Sequence, residues 1–451
     1  MKRILPVIAA AAVLVATTRA QQPASPAQQP NEVSTTISSD QSGAAPRFAV
    51  PDFIALSKDA ETVDAARTIG QVLWDDLNFE REFALIPRDV VATIPAGTSI
   101  TDVAFDRWRE VNADGVIIGT VQKTPQGVQV NVRLFNVRSH QAAFSREYSG
   151  SVANRRLYAH TIADEIHQQQ RALRGVARTK LTFNSDRDGE TMPGLVASRG
   201  VKEIYIADYD GENQRRVTTQ RSLNINSTWS PDARSLAYTS YRRGAPAIFI
   251  SNIYQGTLDE PTKNATGQSF LPAWSPDGTR IAFTSTRDGN AEIYVANRDG
   301  SNVRRLTSSP AIDSTPTWSP TGTQIAFTSD RTGTPQIYVV GADGLGLRQI
   351  THESYADRPT WSPAPYNEIA YTARTGPGND IKVMELATGQ VRQLTFGEGT
   401  NESPSFSANG RHIAFMSTRS GKSQIFTISK DGKDLRQITR VGNNYQPDWS
   451  K

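Results

Sequence analysis

Three carboxylates, Asp313, Asp357 and Glu402, stand just ahead of aromatic residues in a recurring stretch of this 451-residue chain. Carboxylates converging on one mouth could do acid and base chemistry, as in a hydrolase or lyase. No acid and base separation can be read from them, so an enzyme rests on fold-level permissiveness alone. Acidic Asp-Gly pairs at Asp210-Gly211, Asp299-Gly300, Asp343-Gly344 and Asp431-Gly432 suggest calcium ligands. They lack the dense acidic spacing of a calcium loop, and hairpin turns demand the same residues. A recurring arginine (Arg187, Arg242, Arg287, Arg331, Arg374, Arg419) could ring an anionic ligand, or pair with the acid or backbone carbonyl of a neighbouring repeat. His140, His160, His167, His352 and His412 show no metal-ligand spacing and are expected to face solvent. With no cysteine, thiolate metal sites and disulfides are impossible, and no cofactor is implied. Neither a nucleophile-elbow G-x-S-x-G nor a phosphate-cradling G-x-x-x-x-G-K-[ST] occurs.

The elements that would position these groups repeat. From Leu223 onward a variant of P-x-W-S-P-D-G followed by I-A-F-T-S recurs six times, centred on Trp229, Trp274, Trp318, Trp361, Phe406 and Trp449. The interval of about 43 to 45 residues is that of propeller blades. Ser-Pro-Asp-Gly is turn chemistry, with proline setting φ and glycine taking positive φ. The tryptophan offers an apolar plate to pack between adjacent blades. The first I-A-F-T-S-like strand, Leu181 to Ser185, has no tryptophan strand before it, and the tryptophan strand at Tyr445 to Ser450 has no partner after it. Pairing these two predicts a closed six-bladed β-propeller with no long exposed edge.

Ahead of the propeller, residues 1–20 carry a basic start, a short apolar run and small residues, the pattern of an export signal cleaved near Ala20. Residues 21–46 are rich in Gln, Pro, Ser and Thr and read as a mobile arm, in which Val33 to Ser38 could pair as a strand. Residues 47–175 mix helical and strand periodicities and predict an α/β domain. In it a helix capped by Ser57 runs to about Asn78 with Ala60, Val63, Ala66, Ile69, Leu73 and Leu77 on one face, and another runs from Ile100 to Val111. Strands are expected at 47–53, 83–86, 115–119 and 128–137, with a closing helix from Ala153 to Arg171. Residues 176–451 form the propeller. The formal charge of +4 falls close to neutral once the basic residues of the signal are removed, so no nucleic acid or other polyanion partner is implied.

An export signal, a small α/β domain and six W-S-P-D-G/I-A-F-T-S repeats, with Glu32-Val33 to Gly43 and then Pro46-Arg47-Phe48-Ala49-Val50-Pro51-Asp52-Phe53, resemble the TolB family of the bacterial Tol-Pal system. The resemblance implies a non-enzymatic periplasmic scaffold, a monomer peripheral to the envelope. It would bind a Pal-like outer-membrane lipoprotein at one propeller mouth and a TolA-like inner-membrane protein through the arm, supporting outer-membrane integrity and invagination at division. The arm candidates are Glu32, Val33, Ile37, Ser39 and Gly43. A polar Ser34-Thr35-Thr36 stands where the family arm is more apolar, and Gln268 and Ser314 stand where the family uses a histidine and a threonine.

The segments just before each aromatic differ most between copies, and loops released from packing carry recognition. They present Asn226, Gln268, Ser269, Phe270, Asp313, Ser314, Tyr355, Asp357, Arg358, Asn401, Glu402, Asn444 and Tyr445 as a partner surface. Phe270, Tyr355 and Tyr445 are the expected exposed anchors and the polar residues the rim. A sensor holding a small periplasmic ligand in the channel is a further alternative.

Overall fold

Six four-stranded antiparallel sheets follow one another around a ring in the computed structural model, which describes residues 35–39, 43–192 and 200–451. Blade 1 consists of Lys180–Ser185, Glu203–Asp208 and Arg215–Arg216, with Asn444–Trp449 as its innermost strand. Blades 2 to 6 each run inside to outside in chain order, from inner strands Asn224–Trp229, Ser269–Trp274, Asp313–Trp318, Ala356–Trp361 and Asn401–Phe406. The expected closure is therefore present, with Trp449 opposite Leu181 and Asn444 opposite Ser185.

Each aromatic wedge packs between blades. Trp274 sits with Ala237, Ile248 and Ile250 of blade 2 and Ile281 of its own blade, and its Nε1–H donates to the Thr228 carbonyl at 3.3 Å. Trp318 repeats this toward the Ala273 carbonyl at 3.2 Å. In the turn that follows, Asp277 accepts from the Ser275 hydroxyl at 2.5 Å and the Thr279 amide at 3.0 Å, which hold its carboxyl down at about 2. Gly278, Gly322 and Gly410 take φ near +70° there, while in blade 2 Ala233 occupies the same left-handed region at φ 54°.

Closure has a polar lock. Asp448, on the inner strand of blade 1, accepts from the Trp229 amide of blade 2 at 2.8 Å and from the Ser405 hydroxyl of blade 6 at 3.1 Å. Ser405 Oγ in turn accepts from the Trp449 amide at 3.0 Å. One carboxylate thus ties three blades together.

The leading domain is a six-stranded mixed sheet: β1 Arg47–Ala49, β2 Ile54–Ala55, β3 Ala84–Leu85, β4 Gly115–Thr124, β5 Gly127–Asn136 and β6 Ala142–Gly150. β1 lies parallel between β3 and β4, and β4, β5 and β6 form an antiparallel meander. Helices α1 (Ala60–Glu80) and α4 (Arg155–Arg171) share one apolar core with this sheet, and short α2 (Arg88–Val91) and α3 (Phe105–Glu110) lie with a second core around Trp108. Several expectations shift. Asp59, not Ser57, caps α1 by accepting from the Thr62 amide, and Val63 is exposed because the buried stripe runs through Ala65, Ala66, Ile69, Val72 and Leu73. The helix expected over 100–111 shrinks to α3, and β6 is a strand that alternation in Ala142 to Gly150 had not revealed.

The arm is docked where it is described. Ile37 is buried in the α1/α4 core, its amide donating to Gln170 Oε1 at 2.8 Å, while Gln170 Nε2 donates to the Thr35 carbonyl at 3.0 Å. Residues 35–39 form no strand, since Gln170 of a helix supplies the partners a sheet edge would have offered.

The two domains meet through the turns at one end of the propeller. Phe79, near the end of α1, stacks on His412 at 4.2 Å, lies 6.5 Å from Trp449 and sits beneath the Arg436 guanidinium. Glu80 accepts from Asn409 Nδ2 at 2.9 Å and lies 3.4 Å from His412 Nε2. Asp76 holds His160 Nδ1 at 2.8 Å and accepts from the Tyr209 hydroxyl at 2.7 Å, and ion pairs Arg81–Asp434 and Arg156–Asp210 flank the seam. His160, His167 and His412 are therefore buried, against the expectation of solvent-facing side chains, because carboxylates or a backbone carbonyl receive their ring nitrogens. His140 and His352 are exposed.

Replacing Asp448 with Ala should leave the Trp229 amide and Ser405 hydroxyl without an acceptor. We expect a loss of about 2 kcal/mol in denaturant unfolding. The seam also sets a pH optimum. Burial alone would raise the Glu80 carboxyl, but His412, His167 and Arg411 outweigh it and hold it below 4.5; burial would lower His160, but Asp76, with Asp210 and Asp208, holds it above 6.5. Glu80 contributes fully above 4.5 and is lost as pH falls through its depressed value, and His160 contributes fully below 6.5 and is lost as pH rises through its elevated value. Thermal unfolding should peak between those two values, with Glu80→Gln flattening the acid limb and His160→Gln the alkaline one.

Candidate functional site

The six inner strands line an axial channel, and each is bulged at the same place. Three residues before the aromatic, Asn226, Leu271, Thr315, Arg358, Ser403 and Gln446 all adopt φ between 51° and 58°. The strand register slips across this point in every blade. The next residue is proline in five blades (Pro272, Pro316, Pro359, Pro404, Pro447), which cannot donate to the ladder and is tolerated at such a bulge. The left-handed residue turns its amide sideways to the preceding blade. Leu271 donates to Thr239 Oγ1 at 3.0 Å, Arg358 to Thr328 Oγ1 at 3.2 Å and Ser403 to Thr372 Oγ1 at 3.1 Å. The threonine of I-A-F-T-S is thus an acceptor for the next blade's bulge, a role that its recurrence alone had not disclosed.

The segments expected as free loops are strands up to this bulge, and that divides the candidate surface. Five residues before the aromatic, Ser269, Asp313, Asn401 and Asn444 are buried rather than placed on a rim. Asp313, Asn401 and Asn444 face the recurring arginine of their own blade, while Ser269 meets Ser285, which accepts from Arg287. Arg331 Nη2 reaches Asp313 at 2.8 and 3.0 Å, Arg419 Nη2 reaches Asn401 Oδ1 at 3.0 Å, and Arg187 Nη2 reaches Asn444 Oδ1 at 2.9 Å. The same guanidinium covers an aromatic ring of the blade: Tyr205 at 4.4 Å, Phe249 at 5.3 Å, Tyr294 at 4.7 Å, Tyr338 at 4.9 Å and Phe426 at 5.3 Å. Neither a ring around a common anion nor pairing with a neighbouring blade describes these arginines; they clamp their own blades. Arg374 alone differs, lying 5.2 Å over Tyr355.

Four residues before the aromatic, Phe270, Ser314, Asp357, Glu402 and Tyr445 remain partly exposed at the mouth. Gln268 is exposed beside Phe270, and Asn226 and Arg358 sit half-buried at the channel wall. Phe270, Tyr355 and Tyr445 are only partly exposed: Tyr355 donates its hydroxyl to Asp357 at 3.1 Å, and Lys202 Nζ lies 3.6 Å over the Tyr445 ring. The channel walled by the bulge residues, Asn226 and Arg358 among them, and by the residues that follow each bulge encloses about 140 Å³. Arg358 is its basic wall residue, and Leu271, Thr315, Ser403 and Gln446 are wall residues missed in the sequence. Their signal was the fixed position just before each proline.

The three mouth carboxylates are all engaged. Asp313 is tied to Arg331, while burial pushes its carboxyl upward. Asp357 accepts from Thr328 Oγ1 at 2.9 Å and its neighbour's amide at 2.7 Å, and Glu402 accepts from Asn379 Nδ2 at 2.7 Å. The aspartates of the Asp-Gly turns likewise accept their own turn amides, at 2.9 Å from Ser301 and 3.0 Å from Leu345. Among the arm candidates, Ile37 is docked, Gly43 is exposed at φ 82°, Ser39 is half-buried, and Glu32 and Val33 lie outside the described residues, as does the expected signal.

Asp313 and Ser314 are neighbours with opposite tasks. Asp313→Ala, which strands a largely buried guanidinium, should cost about 2–3 kcal/mol, whereas Ser314→Ala should change stability by under about 0.5 kcal/mol in the same urea titration.

Residues 36–143 match the TolB amino-terminal domain and residues 172–451 the TolB beta propeller domain. The Tol-Pal system protein TolB of Bordetella avium is 34% identical over 403 residues, covering 88% of this chain and 87% of that protein. The Desulfosudis oleivorans TolB is 33% identical over 208 residues, 46% of this chain and 45% of its own length. The crystal structure of TolB from Acinetobacter baumannii superposes with a TM-score of 0.75 at 26% identity, covering 92% of this chain and 98% of that one. With a bulged six-bladed channel behind a docked α/β domain and these matches along its length, the chain belongs to the TolB family, periplasmic components of the Tol-Pal system.

Proposed function

We propose that this protein is a non-enzymatic scaffold that receives a Pal-like outer-membrane lipoprotein at the propeller mouth and a TolA-like inner-membrane protein through its arm. One observation carries the first half. The leading domain packs on the turns at one end of the propeller, through Asn409, Arg411, His412, Asp434 and Asp210, so among the described residues it leaves the opposite mouth with its irregular residues uncovered. The binding face is then Asn226, Gln268, Phe270, Ser314, Tyr355, Asp357, Arg358, Glu402 and Tyr445, with Ser269, Asp313, Asn401 and Asn444 shaping it from beneath. The naming of its relatives as Tol-Pal system components supports binding over catalysis.

The arm supports the second half. Ile37 is held in the α1/α4 core and by Gln170, contacts that a partner offering its own apolar pocket and amide would exchange. Release of the arm would link the two sites only if the mouth favours one arm state over the other. In the periplasm such a molecule would couple the envelope layers during growth and division.

Surface plasmon resonance against a Pal-like lipoprotein domain tests the face. The double variant Phe270→Ala plus Tyr355→Ala should weaken capture at least tenfold, about 1.4 kcal/mol or more, with unfolding little changed. Undiminished capture would rule out this mouth as the binding face.

A further inference from the structure

A second cavity, of about 320 Å³, opens between α4 and blade 1 on the side of the molecule away from the mouth. Its wall carries five cations, Arg155, Arg156, Arg178, Lys180 and Arg215, and one carboxylate, Asp208. Three further carboxylates, Asp64, Asp210 and Asp164, pair with Arg155, Arg156 and Arg178 but are not part of the wall. Lys180 holds Asp208 at 2.6 Å, and Arg215 has no ion-pair partner among the described residues. The cationic ends are thus oriented by acids behind them and one positive charge is left over.

The polar atoms left unsatisfied point the same way. His160 is 3% exposed and lines this cavity; its Nδ1 is bound by Asp76, which is not a wall residue, and its Nε2 has no protein partner. Nε of Arg156 is also buried without an acceptor. The first turn of α4 contributes Arg155, Arg156 and Leu157 to the wall and has no acidic residue; it continues a 3-10 turn, Val152–Asn154, whose start Ser151 caps. A buried donor without a partner costs about 1–3 kcal/mol, and two such donors belong to wall residues of this one cavity.

We propose that this interdomain cavity binds a phosphate monoester. A planar, forked set of arginines suits phosphate oxygens, the wall residues His160 and Arg156 each carry a nitrogen without a protein partner, and Leu157, Ile206 and Ala177 offer apolar wall to the body that carries the phosphate. Because α4 and blade 1 both contribute, a bound phosphate ester bridges the two domains. Asn213, which donates to Asp208 Oδ2 at 2.6 Å, keeps that one wall carboxylate turned to its own partners.

Calorimetry and thermal unfolding of the full chain with glycerol 3-phosphate, with glycerol, and with vesicles containing phosphatidic acid test this. Binding and a raised melting temperature are expected with glycerol 3-phosphate and not with glycerol. Binding to the vesicles alone would assign the phosphate to a lipid headgroup and still support the site. Arg215→Gln, an exposed residue without an ion pair, should fold normally and weaken the phosphate probe about tenfold, and His160→Gln should weaken it further. Failure of both phosphate probes, or an Arg215→Gln protein that binds as tightly as the parent, would overturn the proposal.

Discussion

The structure depends on the insertion of Asn444–Trp449 beside Lys180–Ser185. Those strands are more than 250 residues apart in the chain, yet their pairing closes the ring and supplies the inner strand of blade 1. Trp449 fills the wedge position at the seam, its Nε1–H donating to Thr179 Oγ1 at 2.7 Å, and Asp448 reaches both flanking blades. The leading domain packs against the same seam through Phe79 and Glu80, so its core and that of the closing blade form one continuous apolar cluster. Domain docking and ring closure therefore draw on one apolar core. Loss of either exposes the other's apolar surface.

A closed ring also explains how one repeat can serve two purposes. Blade packing needs the aromatic wedge, the S-P-D-G turn and the arginine clamp, and these recur with little change. The bulge before the proline bends each inner strand out of the ladder, which frees the one or two residues ahead of it from the packing rules. Variation concentrates there. Gln268, Phe270, Asp357 and Glu402 differ from their counterparts in other blades.

Much of this was legible in the residues. The period, the tryptophans and the phase of the repeats specify six blades and their closure, since each is a local pattern repeated often enough to exclude alternatives. Candidate mouth residues were legible only as a stretch. Asp313 and Ser314 are adjacent, and alternation in a strand sends one toward Arg331 and the other to the mouth, a difference set by register and bulge. The histidines were misread for a related reason. His160 and His412 meet Asp76 and Glu80 across 84 and 332 residues of chain, and no local spacing announces such partners.

Local chemistry along the chain thus settled the blade count, the turns and the wedge, because those depend on neighbours within one repeat. Which polar side chains clamp, which are exposed and which gather around the cavity under α4 depended on packing between distant segments. Ile37 illustrates the boundary: its segment has strand-forming residues, yet an apolar pocket and one glutamine side chain hold it as docked coil. Burial and hydrogen-bond satisfaction are properties of the assembled ring and its attached domain, and they override the preference of a short segment.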